Sequence, residues 1–259
     1  MEKIKFVFFG SSKFSKYVLD ELEHAGHVPI MKVTDAKAPL PEIPVDTDFC
    51  VVASFGKILP KTYLEIPRLG FINVHPSLLP ELRGPSPIQN LILQNKEPGV
   101  TIIKMDEKMD HGPILAQEKI NIEPWPDHYA IVEEKLGRAG GKLLVQTLSD
   151  ISPLSGREQD ESQATYVKMI KKEDGLLDLN DAPETNLRKV LAYSTWPGAY
   201  IFFKRKTGEE IRVVIKNAKI IDPEPEQARY GAGAQFIPTR VIPAGKKEMD
   251  WQDFLRGNT

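Results

Sequence analysis

Asn73, His75 and Asp110 are the side chains of this sequence whose types and spacing let them act on one reacting group. Asn73-Val74-His75 closes a short apolar run that starts at Phe71, and a proline and glycine-rich loop follows it. In a strand the two-residue period sends Asn73 and His75 to the same side, about two residue rises apart. A parallel strand buried on both faces is normally apolar throughout, so two hydrogen-bonding side chains at its carboxyl end need a reason. Ligand crevices of open α/β sheets lie at such ends. The plainer alternative is that Asn73 shapes a turn and His75 is a hydrogen-bonded core histidine. A second stretch bears on the choice. Val100 to Met105 is a β-branched run that reads as another strand, and Asp110 and Gly112 lie in a turn just beyond it, which brings a carboxylate within reach of the imidazole. Asn73 offers an amide N–H and His75 an imidazole N–H, two donors for an oxygen that gains negative charge. Asp110 would orient His75, and Asp110 or a water it holds would accept a proton.

The elements that must position these groups follow from hydrophobic period and punctuation. Ile4 to Phe9 reads as a strand, Gly10-Ser11-Ser12 as a turn, and Phe14 to Ala25 as a helix with Phe14, Tyr17, Val18 and Leu22 at helical spacing. This is a Rossmann-like start, but with a single glycine the dinucleotide fingerprint is absent and a nicotinamide cofactor is not supported. Ser11, Ser12 or Ser15 would cap the helix, or its amides would hold an anionic part of a substrate. Val28 to Val33 is a second strand. Thr34 to Thr47 carries Pro39, Pro41 and Pro44 without helical period, and Phe49 to Ala53 is the next strand. Phe55 to Pro60 turns into a short helix or loop over Lys61 to Ile66. Pro87 suits the first turn of a helix reaching about Gln94. Ala116 to Ile122 alternates as an edge strand or hairpin arm does, and Asp127 would cap a helix from His128 to about Thr147.

Ser152 to Gln163 is polar, contains Pro153 and Gly156, and reads as a crossing between domains. Beyond Thr165 the period changes. A helix from Asp181 to Ala192 precedes short strands at Ile201 to Phe203, Ile211 to Ile215, Ala218 to Ile221 and Gln235 to Ile242, with a hairpin at Thr207-Gly208. The expected organisation is an α/β catalytic domain on a parallel sheet over 1–151, a linker over 152–164 and a small β-rich domain over 165–259.

The chain has 259 residues and a formal net charge of −2, which argues against a generally basic nucleic-acid coat. The charge is unevenly spread: 18 Lys+Arg against 23 Asp+Glu up to residue 164, then 16 against 13. Lys204-Arg205-Lys206 is the dense cationic cluster of the second half, either a solvated hairpin tip or a phosphate contact. The apolar run near the amino terminus is too short for a signal sequence, and no stretch approaches the ~20 residues of a membrane span. A cytoplasmic protein is expected, with the lone Cys50 as a buried strand residue. No Cys/His cluster has metal-ligand spacing, so no metal is expected.

Asn73-x-His75 running into Pro76-Ser77-Leu78-Leu79-Pro80, followed by Asp110-x-Gly112, resembles the signature of the enzymes that move a formyl group from 10-formyltetrahydrofolate to an amine. Arg83 to Gln89, Phe55 to Pro60, Lys168 to Asp174, Gly245 to Met249 and Asp253 to Gly257 make the chain similar, within that superfamily, to the methionyl-tRNA formyltransferases. The resemblance implies catalytic Asn73, His75 and Asp110, a folate wall made by Ser77, Leu78, Leu79 and Pro80 through backbone hydrogen bonds, and an OB-like carboxyl-terminal barrel. It implies 10-formyltetrahydrofolate as co-substrate and initiator methionyl-tRNA as partner, with no membrane and no stable protein partner. The sequence departs from the family after Val33, where a longer insertion with a tRNA-contacting loop is usual. An amino sugar linked to a nucleotide is therefore the rival acceptor, and a noncatalytic RNA-binding relative is the third reading.

Overall fold

The computed structural model describes residues 4–149, 156–224 and 233–258. The chain forms two compact units, one of Met1–Leu91, Glu97–Ile122 and Ile131–Met169, the other of Ile92–Lys96, Glu123–Ala130 and Ile170–Thr259. In the first unit β1 (Phe6–Phe9), β2 (Met31–Val33), β3 (Phe49–Val52), β4 (Phe71–His75), β5 (Gly99–Lys104) and β6 (Ile114–Lys119) make a sheet of order β2-β1-β3-β4-β5-β6. The first four strands are mutually parallel, but β4 pairs with β5 antiparallel, and β5 with β6 likewise. The expected parallel sheet is thus a mixed one. Hydrophobic runs do not distinguish the two directions when both faces are covered, and β5 enters from Pro98-Gly99 at the opposite end from β4.

Helix α1 (Lys13–His24) starts on a capping box in which Ser12 Oγ accepts from the Ser15 amide at 3.2 Å and Ser15 Oγ from the Ser12 amide at 3.0 Å. Both serines are therefore used in capping. Helix α2 (Lys61–Leu64) is a single turn, α3 (Pro87–Leu93) follows the loop after β4, and α4 is a long helix over Tyr129–Leu148. Helix α4 meets β4 from the side away from Asn73 and His75. At Gly140 an added Cβ would lie 2.6 Å from Val74 Cγ1, and Val74 points opposite to its two polar neighbours.

Between β2 and β3 the chain crosses β1 without a helix. Apolar side chains of this crossing take the helix's place: Ile43 is buried with Val7, Phe9, Cys50 and Phe71, and Ala36 and Leu40 pack against them. Two side chains clamp its backbone, Tyr63 Oη donating to the Pro41 carbonyl at 2.7 Å and Lys57 Nζ to that of Ala38 at 2.5 Å. Cys50 lies beneath this cover with no exposure, and burial pushes its thiol pKa up to about 12, so it is inert.

In the second unit β7 (Tyr200–Lys204), β8 (Glu210–Ile221), β9 (Gln235–Pro243) and β10 (Met249–Asp250) pair antiparallel in the order β10-β9-β8-β7. Helices α5 (Pro183–Ala192) and α6 (Trp251–Asn258) bury Val190 and Phe254 in a core with Ile201, Val213 and Val241. The strands expected at Ile211 to Ile215 and Ala218 to Ile221 are one strand, whose register shifts around Asn217. Among the described residues this is an open four-stranded sheet. At the β7–β8 tip Arg205 pairs with Glu209 at 2.8 Å. No helix among the described residues is long and apolar enough to cross a membrane.

Ile43, 7% exposed, and Val45, fully exposed, sit two residues apart in the crossing. Ile43→Ala should destabilise the protein by about 2–4 kcal/mol, whereas Val45→Ala should stay within about 0.5 kcal/mol of wild type. Urea unfolding of the two variants checks this, and equal losses would mean that the crossing does not serve as core.

Candidate active site

Asn73 and His75 lie on one face of β4, opposite Ile103 and Thr101 of β5. Two loops fold over that face. The first, after His75, is tied to the sheet through Thr101, whose hydroxyl donates to the Ser77 carbonyl at 2.6 Å and accepts from the Leu79 amide at 3.1 Å. The second, between β5 and β6, brings Asp110 back over β4. All three sequence-predicted side chains therefore meet: Asn73 Nδ2 donates to Asp110 Oδ1 at 3.2 Å, and His75 Nδ1 lies 3.5 Å from the same oxygen. The second contact is a charge-to-ring approach longer than a hydrogen bond. The Gly84 amide donates to Asp110 Oδ2 at 2.8 Å and fixes the carboxylate's rotation.

His75 Nε2 is 3.2 Å from the Leu82 carbonyl, which can only accept, so Nε2 carries the proton and Nδ1 faces the carboxylate. Two residues hold uncommon backbone for this. Asp110 has φ 52° and Leu82 φ 61°, a region that costs a non-glycine residue about 1–3 kcal/mol and gathers at functional sites. Gly112 is required beside them, because an added Cβ would meet the Lys104 carbonyl oxygen at 1.8 Å. Asn73 is 8% exposed and His75 3%, while the Asp110 side chain retains 14%.

The Ser77 to Pro80 segment is fixed by backbone hydrogen bonds to its surroundings. Besides the two bonds to Thr101, the Leu79 carbonyl accepts from Gln117 at 2.8 Å and the Pro80 carbonyl from the Thr165 amide at 3.2 Å. Ser77 and Leu79 are buried, which leaves the partly exposed Leu78 and Pro80 as the surface of this segment.

A layer behind the site was not foreseen. Arg83, with no exposed surface, donates from Nε and Nη2 to Gln159 Oε1 at 3.1 and 2.8 Å, and from its two terminal nitrogens to Glu161 at 2.7 and 3.1 Å. Tyr166 Oη accepts a further bond at 3.0 Å. Burial opposes the guanidinium's charge, and the bonds to Glu161 and Tyr166 outweigh it and raise the arginine pKa. Gln159 and Glu161 fall in the polar stretch expected to be a linker, whose described residues, from Gly156 on, belong to the first unit. Arg157 there bridges Ile114, and Tyr166 bridges Arg83. The polarity around Gln159 gave no signal of its burial, because the guanidinium it is buried against comes from 76 residues away.

Among the described residues no group of three or more His, Cys, Asp or Glu side chains could hold a metal ion. A recess of about 600 Å³ in the second unit is lined by Glu173, Asp174, Asp178, Lys189 and Tyr193, and includes none of the three converging side chains.

Residues 42–148 match the formyl transferase family, and residues 169–259 match the formyl transferase C-terminal domain. The chain belongs to the formyl transferase family. Methionyl-tRNA formyltransferase of Chloroflexus aurantiacus is 33% identical over 98% of this chain and 97% of its own length. That of Bacillus licheniformis is 39% identical over 82% of this chain and 71% of its own. The first alignment spans 304 residues against 259 here, so this member of the family is shortened relative to it. The fold is that of the methionyl-tRNA formyltransferase from Clostridium thermocellum (TM-score 0.66, 15% identity, 95% of this chain and 99% of that one). It is equally that of a likely sugar N-formyltransferase from Mycobacterium tuberculosis (TM-score 0.63, 21% identity, 85% and 99%).

The Arg83 hydrogen bond holds the Glu161 carboxyl below its ordinary value of 4.5. Its stabilisation is complete above pH 4.5 and is lost as pH falls through the lower folded-state value. Glu161→Gln should therefore lower the thermal unfolding midpoint at pH 7, where the charged pair is intact, and the gap to wild type should close as pH falls below 4.5. Melting curves across that range check the direction, and an unchanged acid dependence would remove Glu161 from the linkage.

Proposed function

We propose that this protein transfers the formyl group of 10-formyltetrahydrofolate to the amino group of methionyl-initiator tRNA, as a cytoplasmic enzyme of translation initiation. The observation that carries this reading is the convergence of Asn73 and His75 on the Asp110 carboxylate, in a chain aligned over almost all its length with methionyl-tRNA formyltransferase.

In the transfer a bond forms between the amine nitrogen and the formyl carbon, and the bond from that carbon to the folate nitrogen breaks. Asn73 has one amide hydrogen on Asp110 and a second available for the carbonyl oxygen as it gains charge. His75 exchanges its proton through Nδ1, since Nε2 is committed to Leu82. A charged ring donates to the departing folate nitrogen, and Asp110, or a water it holds, accepts the proton lost by the amine. Leu78 and Pro80, with buried Ser77 and Leu79 behind them, wall the folate side. The first unit, which runs on to Met169, is the catalytic part, and the carboxyl-terminal sheet, read as a relative of the OB-like barrels, meets the tRNA.

A nucleotide-linked amino sugar is the second acceptor to test, because the stretch between Val33 and Phe49 is short where a tRNA-contacting insertion is usual in the family. Purified protein is incubated with 10-formyltetrahydrofolate and either charged initiator tRNA or amino-sugar nucleotides. Formylated methionyl-tRNA alone supports the proposal, a formylated sugar alone replaces it, and no product in either arm leaves the noncatalytic RNA-binding reading. Asn73→Ala should lower turnover by roughly 10²- to 10³-fold, the scale of one oxyanion donor. His75→Ala and Asp110→Ala should lose nearly all activity while staying folded by circular dichroism. Near wild-type turnover in Asn73→Ala would remove it from the chemistry.

A further inference from the structure

The Gln159 side-chain amide is shared between two parts of the site. Its Oε1 accepts from Arg83 Nε and Nη2, and its Nε2 donates to the Asp110 carbonyl at 2.8 Å and to the Gly112 carbonyl at 2.8 Å. The guanidinium can only donate, so it fixes which end of the amide faces which partner. With Oε1 turned to Arg83, the Nε2 hydrogens must face the turn. Both carbonyls belong to the residues on either side of His111, and the first is the backbone of Asp110, held at φ 52°.

Arg83 stands in the chain between Leu82 and Gly84. The Leu82 carbonyl takes the His75 Nε2 proton and the Gly84 amide holds Asp110 Oδ2. The main chain of Arg83 is also paired, its amide to the Thr165 carbonyl at 2.9 Å and its carbonyl to the Val167 amide at 2.8 Å. One buried arginine therefore sits within the loop that orients His75 and, through Gln159, grips the turn that presents Asp110.

Resting on the function proposed above, we infer that Gln159 is a positioning residue for Asp110 and that Arg83 sets the orientation in which it works. Gln159 touches no reacting atom. It holds the left-handed backbone at Asp110 in the conformation from which the carboxylate reaches Asn73 and His75. Without the two Nε2 bonds, the buried carbonyls of Asp110 and Gly112 lose their shared donor, and the turn relaxes away from the left-handed region. The loss then appears in kcat, because folate and acceptor surfaces are untouched, while a misaligned proton acceptor slows the chemical step.

The test uses the full chain with Gln159→Glu, which keeps an acceptor for Arg83 and removes both donors, and with Gln159→Met, which removes both functions at similar size. Expected is a 10- to 100-fold fall in kcat with KM for 10-formyltetrahydrofolate within about threefold of wild type. Amide hydrogen exchange should accelerate at least about tenfold at Gly84, whose proton rests on Asp110, and stay unchanged in β4 and β5. Wild-type kcat in a folded variant overturns the inference, as does exchange that rises equally at Gly84 and in the strands. In the wild-type protein the Gln159 side-chain amide protons should be strongly protected from solvent exchange, and rapid exchange there overturns it whatever the variants do. Absence of formyl transfer by the wild-type enzyme on every acceptor would instead reject the proposed function, so the two failures are separable.

Discussion

The site depends on how one carboxylate is divided. Asp110 Oδ2 is held by the Gly84 amide, which leaves Oδ1 for Asn73 and His75 alone. A freely rotating aspartate would exchange its two oxygens and blur the distinction between anchor and acceptor. The backbone donor removes that freedom at its source. The close approach also explains the residue that supplies it: Gly84 has φ 123°, and an added Cβ there would lie 2.4 Å from the Val167 carbonyl oxygen.

Strand β4 is where the sheet changes direction. It runs parallel to β3 on one side and antiparallel to β5 on the other. A return through an antiparallel neighbour needs only a loop, not a crossover helix. The loop between β5 and β6 can therefore be given over to presenting Asp110 across the same face that displays Asn73 and His75. On the opposite face Val74 packs against α4, so alternation along five residues separates chemistry from core.

Much of this was visible in the residues themselves. Asn73 and His75 stand two apart in an apolar run, and α1 begins where its serines and apolar period say it should. The direction of β5 was not visible, since buried strands of either sense look alike. Strand β8 was read as two because its bulge at Asn217 interrupts the alternation. The sequence also gave no sign of Gln159. A glutamine among acidic and polar neighbours looks like linker until a distant arginine lies buried against it. Helix α6 carried its signal in the spacing of Trp251, Phe254 and Leu255, but a short terminal segment offers few turns over which such a period can be recognised.

The bare crossing between β2 and β3 bears on how this family diversifies. Its apolar residues seal the sheet from above, while its tip around Val45 is fully exposed and the Asp48 amide after it is held by the Lys5 carbonyl. Closing a longer excursion from such a tip grows only logarithmically more unfavourable with length. The fold can thus host a recognition arm there or dispense with it, and the machinery around Asp110 would register neither change. Alterations at that tip and alterations around Asp110 are structurally separable within one domain.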